Sequence, residues 1–145
     1  MRQTRVMLAI VAALSFGAAG RLLAQTQNPP VMTDEQYVNT MKQIGPTFQT
    51  LLKNNESMDH AAGVKNAQRL EQWFNDVQRY WEAKKVANAA AFAKSAAAAA
   101  QMTVSASVAM NMMVLDESEK KLRDACQGCH TAHRERLPDG TFKIK

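Results

Sequence analysis

Apolar side chains recur at helical spacing in four consecutive segments of this 145-residue chain, and this periodicity constrains the fold most strongly. The first segment follows Thr33. Its apolar side chains stand mostly three or four positions apart, at Tyr37, Met41, Ile44, Phe48, Leu51 and Leu52. This spacing places them on one face of a helix. Gln36, three residues after Thr33, completes a capping-box pattern that predicts where the helix begins.

The second and third helical segments differ sharply in side-chain size. The second is predicted from Met58 to Trp81, and its apolar stripe carries both tryptophans of the chain. The third is predicted over residues 86–110 and is dominated by alanine. Alanine favours the helix and leaves small side chains on every face. A neighbouring helix or a flat cofactor could therefore approach this helix closely.

The fourth helical segment is predicted to begin near Asp116 and to continue through "KKLRDACQGCHTAHRER", ending at Arg136. Pro138 and the turn pattern that follows it stop the helix. The final "TFKIK" is a short alternating segment with no assigned role. Four helices, short connections and no strong strand predict an all-α fold, an antiparallel four-helix bundle.

The first 24 residues have the pattern of a cleaved secretory signal peptide. Two arginines precede an apolar stretch from Val6 to Ala19, which is too short to span a bilayer comfortably. Small residues follow, and cleavage is predicted after Ala24. The sequence therefore predicts export to the periplasm, with no stable membrane span after cleavage.

Residues 25–32 are polar and proline-rich and are predicted to be a flexible lead-in to a domain over 33–145. The signal contains three of the eighteen basic residues, so the mature chain has fifteen basic and thirteen acidic residues. A net charge of +2 leaves no basic stripe of the kind that nucleic-acid binding requires. We therefore expect no nucleic-acid partner.

Both cysteines and two of the three histidines lie in "CQGCHTAH", which begins at Cys126. C-x-x-C-H is the attachment signature of a c-type haem. On a helix, Cys126 and Cys129 are three residues apart and project the same way, so each thiol can form a thioether with a haem vinyl group. His130 is then placed to be the proximal ligand of the iron.

A zinc site and a redox dithiol are the alternatives for this motif. Zinc would use Cys126, Cys129, His130 and His133, but ligands from a single helix converge poorly on a tetrahedral centre. A redox dithiol favours the N-terminus of a helix, where the dipole lowers a thiol pKa. Here the motif follows at least two turns of predicted helix. Haem is therefore the favoured interpretation.

These residues resemble the class II cytochromes c, the cytochrome c′ and cytochrome c-556 family. The resemblance rests on the C-terminal haem motif, the four helices, and the segments "YVNTMKQIGPTFQTL" and "FNDVQRYWEAKKVANAAAFAKSA". It implies one covalent haem c held by Cys126, Cys129 and His130. It also places Met41 over the opposite haem face. Family members often carry an aromatic residue where this chain has His133, followed by arginine, here Arg134.

The sixth iron position decides the function that this resemblance implies. Ligation by Met41 would give a low-spin haem suited to electron transfer with periplasmic redox proteins. If Met41 only packs nearby, a five-coordinate haem would bind NO or CO. A haem-free metal or redox module is the remote alternative. No catalytic constellation is present, so we expect no enzymatic activity. The family resemblance leaves a homodimer open.

The pocket wall is expected to be apolar. Its candidates are Ile44, Phe48, Trp73, Val77, Tyr80 and Phe92. Candidates for holding haem propionates are Lys42, Arg134 and Arg136. His60 is expected to face solvent, and a methionine cluster at Met110, Met112 and Met113 is a core cap or a reserve source of a ligand.

Overall fold

The computed structural model describes residues 30–145. The predicted signal peptide and most of the lead-in lie outside the described residues. The elements are α1 (Asp34–Glu56), α2 (His60–Ala83), α3 (Ala87–Val108), α4 (Met112–His133), β1 (Arg134–Arg136) and β2 (Phe142–Ile144). Consecutive helices pack against each other, which confirms the predicted four-helix bundle. Within residues 30–145, no helix combines the length and the apolar character needed to cross a membrane.

The capping box predicted for α1 is confirmed. The backbone N–H of Gln36 donates to Thr33 Oγ1 at 3.2 Å, and the backbone N–H of Thr33 donates to Gln36 Oε1 at 2.7 Å. These reciprocal bonds satisfy donors that the first helical turn leaves free. The same turn holds the acidic side chains Asp34 and Glu35, which the helix dipole favours.

Two helix starts differ from the predicted positions, and each is explained by a capping side chain. Asp59 accepts from the Ala62 N–H at 3.1 Å, so α2 begins at His60. Asn111 accepts from the Val114 N–H at 3.2 Å, so α4 begins at Met112 and not near Asp116. The N-cap of α4 is therefore an asparagine, about one turn before the predicted start near Asp116.

The core lies between the helices, and the size of its side chains differs from one helix to another. Large side chains of α1 and α2 form one part, including Phe48, Leu51, Leu70, Phe74 and Trp81. Alanines of α3 form the other part, with Ala89, Ala93, Ala96 and Ala100 almost fully buried. Because these methyl groups are small, α3 packs extensively against both α2 and α4. The predicted close approach of neighbouring helices to α3 is therefore confirmed.

The predicted continuation of α4 to Arg136 is wrong. The helix ends at His133, and Arg134 has an extended backbone with φ −119° and ψ 132°. β1 then pairs antiparallel with β2, and Arg136 stands opposite Phe142. The turn between the strands is closed by Gly140, whose φ of 82° suits glycine. The segment without an assigned role is therefore half of a β-hairpin.

A half-buried carboxyl joins α1 to α4. Asn55 Nδ2 donates to Glu119 Oε1 at 2.7 Å. Burial is the main cause that raises the pKa of Glu119, while the bond from Asn55 opposes it. A carboxyl with a raised pKa binds its proton more tightly in the folded protein than in the unfolded chain. Its contribution to stability is therefore fully present below its ordinary pKa and is lost as pH rises through the folded pKa.

We expect Glu119→Gln to remove this pH dependence. The amide keeps an oxygen for Asn55 Nδ2 but carries no charge to be desolvated. Urea unfolding at pH 4 and pH 7 should show that the variant gains stability relative to the wild type as pH rises. The exposed carboxyl of Glu117, replaced by glutamine, is the matched control. An equal difference from the wild type at both pH values would contradict the prediction.

Candidate functional site

A large cavity opens beside the "CQGCH" segment. Its volume is about 1060 Å³, just above the range of about 300–1,000 Å³ that is usual for cofactor and small-molecule sites. All four helices and the hairpin contribute to its wall. The cavity therefore depends on the whole tertiary structure and on no single element.

Apolar side chains form most of the cavity wall. They include Tyr37, Met41, Ile44 and Phe48 from α1, Phe74 and Val77 from α2, and Phe92, Ala93 and Ala96 from α3. The structure thus brings together Met41 and four of the six predicted pocket residues. Trp73 and Tyr80 are not among the lining residues. Trp73 is half-buried elsewhere, with the Arg69 guanidinium 5.9 Å from its ring centre. Tyr80 instead donates from its hydroxyl to Asp34.

The two cysteines lie on the same wall as half-buried free thiols. Burial raises the pKa of Cys126 to about 11, with a smaller contribution from Cys129. Burial likewise raises the pKa of the Cys129 thiol. Redox dithiols have the opposite property, a lowered pKa that gives a reactive thiolate. The environment of this pair is therefore poorly suited to thiol–disulfide exchange.

His130 also lines the cavity, with part of its ring exposed. Partial burial lowers the pKa of its imidazole, and the nearby positive charge of Arg134 lowers it further. The neutral ring that this favours near neutral pH is the form that binds a metal ion. Among residues 30–145, no group of three or more His, Cys, Asp or Glu side chains could hold a metal ion. The four side chains of the zinc alternative therefore do not assemble into a binding group.

His133 lines the cavity as well, which the sequence did not predict. Its ring is half-buried, with its centre 5.7 Å from that of Trp81. His133 Nε2 is buried without a hydrogen-bond partner. The imidazole of His133 therefore packs as an aromatic ring against Trp81.

The absence of a side chain at Gly128 leaves space for the Phe92 ring, which lines the cavity. A Cβ atom at this position would lie 2.5 Å from Phe92 Cε1 and 3.0 Å from Phe92 Cζ. The glycine between the cysteines therefore lets the Phe92 ring of α3 pack directly on the motif.

Four cations and no carboxylate are among the residues that line the cavity. The cations are Lys42, Arg123, Arg134 and Lys143. Lys42 and Arg134 were predicted, and Arg136 was predicted but does not line the cavity. Arg123 stands one helical turn before Cys126, a spacing that could have revealed it. No pattern in the sequence indicates that Lys143 reaches the cavity, because its position depends on the hairpin.

The other predicted candidates do not reach the cavity. Met110, Met112 and Met113 are 72%, 44% and 82% exposed around the connection between α3 and α4, so they do not cap the core. His60 is half-buried at the start of α2, with its Nδ1 buried and without a partner. His60 therefore faces solvent only in part. None of these four side chains lines the cavity.

The lining residues fit a large ligand that is mainly apolar and carries negative groups. The wall is apolar, its charged side chains are all cations, and two thiols and an imidazole lie together on it. A haem has this combination of a broad apolar ring, two carboxylates and an iron that accepts an imidazole.

Comparison with known proteins finds no matching family model, no matching curated protein and no matching solved structure. The function must therefore be argued from the residues of the cavity and from the motif.

Proposed function

We propose that this protein is a c-type cytochrome of the class II kind that carries single electrons. The observation that carries the proposal is the joint position of Cys126, Cys129 and His130 on the wall of one large apolar cavity. Their order in the sequence is the haem-attachment signature. The raised thiol pKa values and the absence of a metal-holding group among residues 30–145 support this choice over a dithiol or a zinc site.

Each residue of the motif has a distinct role in this proposal. Cys126 and Cys129 anchor the haem through thioethers, and the neutral imidazole of His130 binds its iron from one side. When bound, the haem supplies the Fe²⁺/Fe³⁺ couple. Ile44, Phe48 and the other apolar lining residues exclude water from the cavity. Exclusion of water is one of the means by which a protein sets the reduction potential of a haem.

The cations at the cavity are proposed to pair with the haem propionates. Lys42 has no ion pair within the described part of the chain, and neither does Arg134. Both are exposed, so they can meet a carboxylate without breaking an ion pair. Arg123 lies with its guanidinium 5.9 Å from the Phe48 ring centre and adds a third positive charge.

The proposal also covers the antiparallel arrangement of the helices and the periplasmic location of the protein. The three connections between helices, 57–59, 84–86 and 109–111, are short, and consecutive helices are in contact. Both features support an antiparallel bundle. The signal-like N-terminus supports export to the periplasm, where the partners would be redox proteins. A homodimer is compatible with the family resemblance.

Absorption spectroscopy and haem detection on the denatured chain test the proposal together. The purified exported protein is expected to keep its haem after denaturation and to gain the mass of one haem. Reduction should sharpen the visible bands as the ferric iron becomes ferrous. A denatured chain with the mass of the polypeptide alone would overturn the proposal.

Met41 is proposed as a second residue that would bind the haem iron. It is half-buried and lines the cavity from α1, while His130 lines it from α4. Met41→Ala should convert a low-spin spectrum to a high-spin one, because alanine has no atom to bind the iron. The reduction potential should also fall, since Met/His ligation raises it. Met32→Ala is the matched control, because Met32 packs against the core without lining the cavity.

The gas-binding alternative makes the opposite prediction for the wild type. Methionine also serves as an apolar filler, and Met41 lies among the apolar side chains of the wall. A wild-type protein that is already high-spin and binds CO readily in the ferrous state would favour this alternative. An unchanged spectrum in Met41→Ala would reject Met41 as a ligand.

A further inference from the structure

The C-terminal hairpin has an apolar face beside the cavity, and we propose that this face binds the haem and closes one side of its site. Phe142 and Ile144 are the contacts. The inference rests on the function proposed above and adds to it a part of the chain outside the four helices.

The pairing register shows which side chains share a face of the hairpin. Arg134 stands opposite Ile144, and Arg136 stands opposite Phe142. Residues directly opposite in an antiparallel pair lie on the same face, and faces alternate along each strand. One face therefore carries Phe142 and Ile144 together with the two arginines. The other face carries the Glu135–Lys143 ion pair, whose Nζ and Oε2 atoms are 3.2 Å apart.

The apolar residues of the hairpin are exposed although they line the cavity. Phe142 is 49% exposed and Ile144 is 39% exposed. Both belong to the cavity wall that also contains Cys126 and His130. The main packing of the hairpin against the helices is through β1 and α4. A broad apolar ligand in the cavity would cover surface that the protein itself leaves open.

Two hydrogen bonds hold the hairpin beside the haem motif, and a third contact lies within the hairpin itself. The backbone N–H of Lys145 donates to the His133 carbonyl at 2.9 Å. Lys145 Nζ donates to the Thr131 carbonyl at 3.4 Å. The Arg134 guanidinium lies 3.3 Å from the centre of the Phe142 ring. The hairpin is thus attached to the last turn of α4, the turn that follows His130.

The small size of the hairpin makes its stability sensitive to the ligand. An isolated two-stranded hairpin is marginally stable in water, and these strands have three residues each. Packing of Phe142 and Ile144 on a haem would remove apolar surface from water and stabilise the paired strands. The hairpin should therefore be more stable in the haem-containing protein than in the haem-free chain.

Hydrogen exchange of the segment 134–145 tests this coupling. The haem-containing protein is compared with the Cys126→Ser/Cys129→Ser double variant, purified free of haem. Amides of the paired strands are expected to exchange about tenfold more slowly, or slower still, when haem is present, because opening the hairpin would then expose the haem face as well. Mass analysis of the intact protein first establishes that haem is attached.

Single substitutions on the two faces separate contact with haem from general hairpin stability. Phe142→Ser in the haem-containing protein should raise the exchange rate toward that of the haem-free chain. It should also make the reduction potential more negative, because water entering the site stabilises the more highly charged ferric state. Glu135→Ser is the control on the opposite face. It loses only an exposed ion pair, which contributes little to hairpin stability, and should keep the slow exchange. Because it also releases Lys143 at the cavity wall, Glu135→Ser is a control for exchange and not for the potential.

The possible results distinguish a failure of the hairpin inference from a failure of the proposed function. Equal exchange rates with and without attached haem would overturn the hairpin inference alone. Equal effects of Phe142→Ser and Glu135→Ser on exchange would do the same, as would an unchanged potential in Phe142→Ser. Absence of covalent haem from the wild-type protein would overturn the proposed function and this inference with it.

Discussion

Cys126→Ser together with Cys129→Ser is expected to abolish covalent haem attachment completely. Serine has nearly the size of cysteine, so the half-buried positions remain filled. Its hydroxyl, however, does not form the thioether that the attachment signature requires. Each single variant retains one thiol and should hold less covalent haem than the wild type. Haem staining after denaturation and the mass of the intact chain measure the loss.

The exposed spacer between the cysteines provides the control for this experiment. Gln127→Ala keeps both thiols and His130, and should retain a full complement of covalent haem. Helical circular dichroism of the double variant shows whether the bundle still forms without the cofactor. Covalent haem in the double variant would contradict the assignment of these two cysteines as anchors.

Gly63→Ala is expected to lower the free energy of unfolding of the bundle substantially. A Cβ atom at this position would overlap Asn55 Oδ1 and lie 3.5 Å from Asn55 Cγ. Asn55 is 3% exposed and its amide is held by Glu119, so it cannot move away without breaking that bond. Overpacking of this kind costs about 1–3 kcal/mol, and loss of the buried hydrogen bond places the expected cost near 3 kcal/mol.

A second helical glycine provides a control in which the added methyl group is expected to raise stability. Gly45 lies within α1, and a Cβ atom there would meet nothing within 4 Å. Because Gly45 also lines the cavity, both glycine variants are compared in the haem-free Cys126→Ser/Cys129→Ser chain. There Gly45→Ala should stabilise the protein by about 0.5–1 kcal/mol, the usual helix preference for alanine. Urea unfolding monitored by circular dichroism measures both variants. Equal shifts of the two midpoints in the stabilising direction would show that Asn55 does not obstruct position 63.

The sequence alone predicted the parts of the protein that depend on neighbouring residues. The helix count follows from apolar spacing within each segment, and the start of α1 follows from the Thr33–Gln36 capping box. The proximity of Cys126, Cys129 and His130 on α4 likewise follows from their spacing in one helix. These features involve hydrogen bonds and side chains a few residues apart, so the local sequence is sufficient to specify them.

Packing decided which residues of an apolar stripe reach the cavity. Trp73 and Phe74 are neighbours on α2, yet only Phe74 lines the cavity. The apolar stripe of a helix is wide enough to include both. The position of the cavity relative to that stripe depends on how α2 meets the other helices, and the periodicity of one segment does not contain this information.

The C-terminal hairpin was the largest feature that only the tertiary structure revealed. Three-residue strands have too few positions for alternation to distinguish them from the end of a helix, so α4 was extended to Arg136. The pairing of Arg134 with Ile144 joins residues ten positions apart across a turn. The sequence therefore determined the helices and the motif, while contacts between distant segments decided the walls of the cavity. Those walls are set by side-chain packing in three dimensions, which no local pattern specifies.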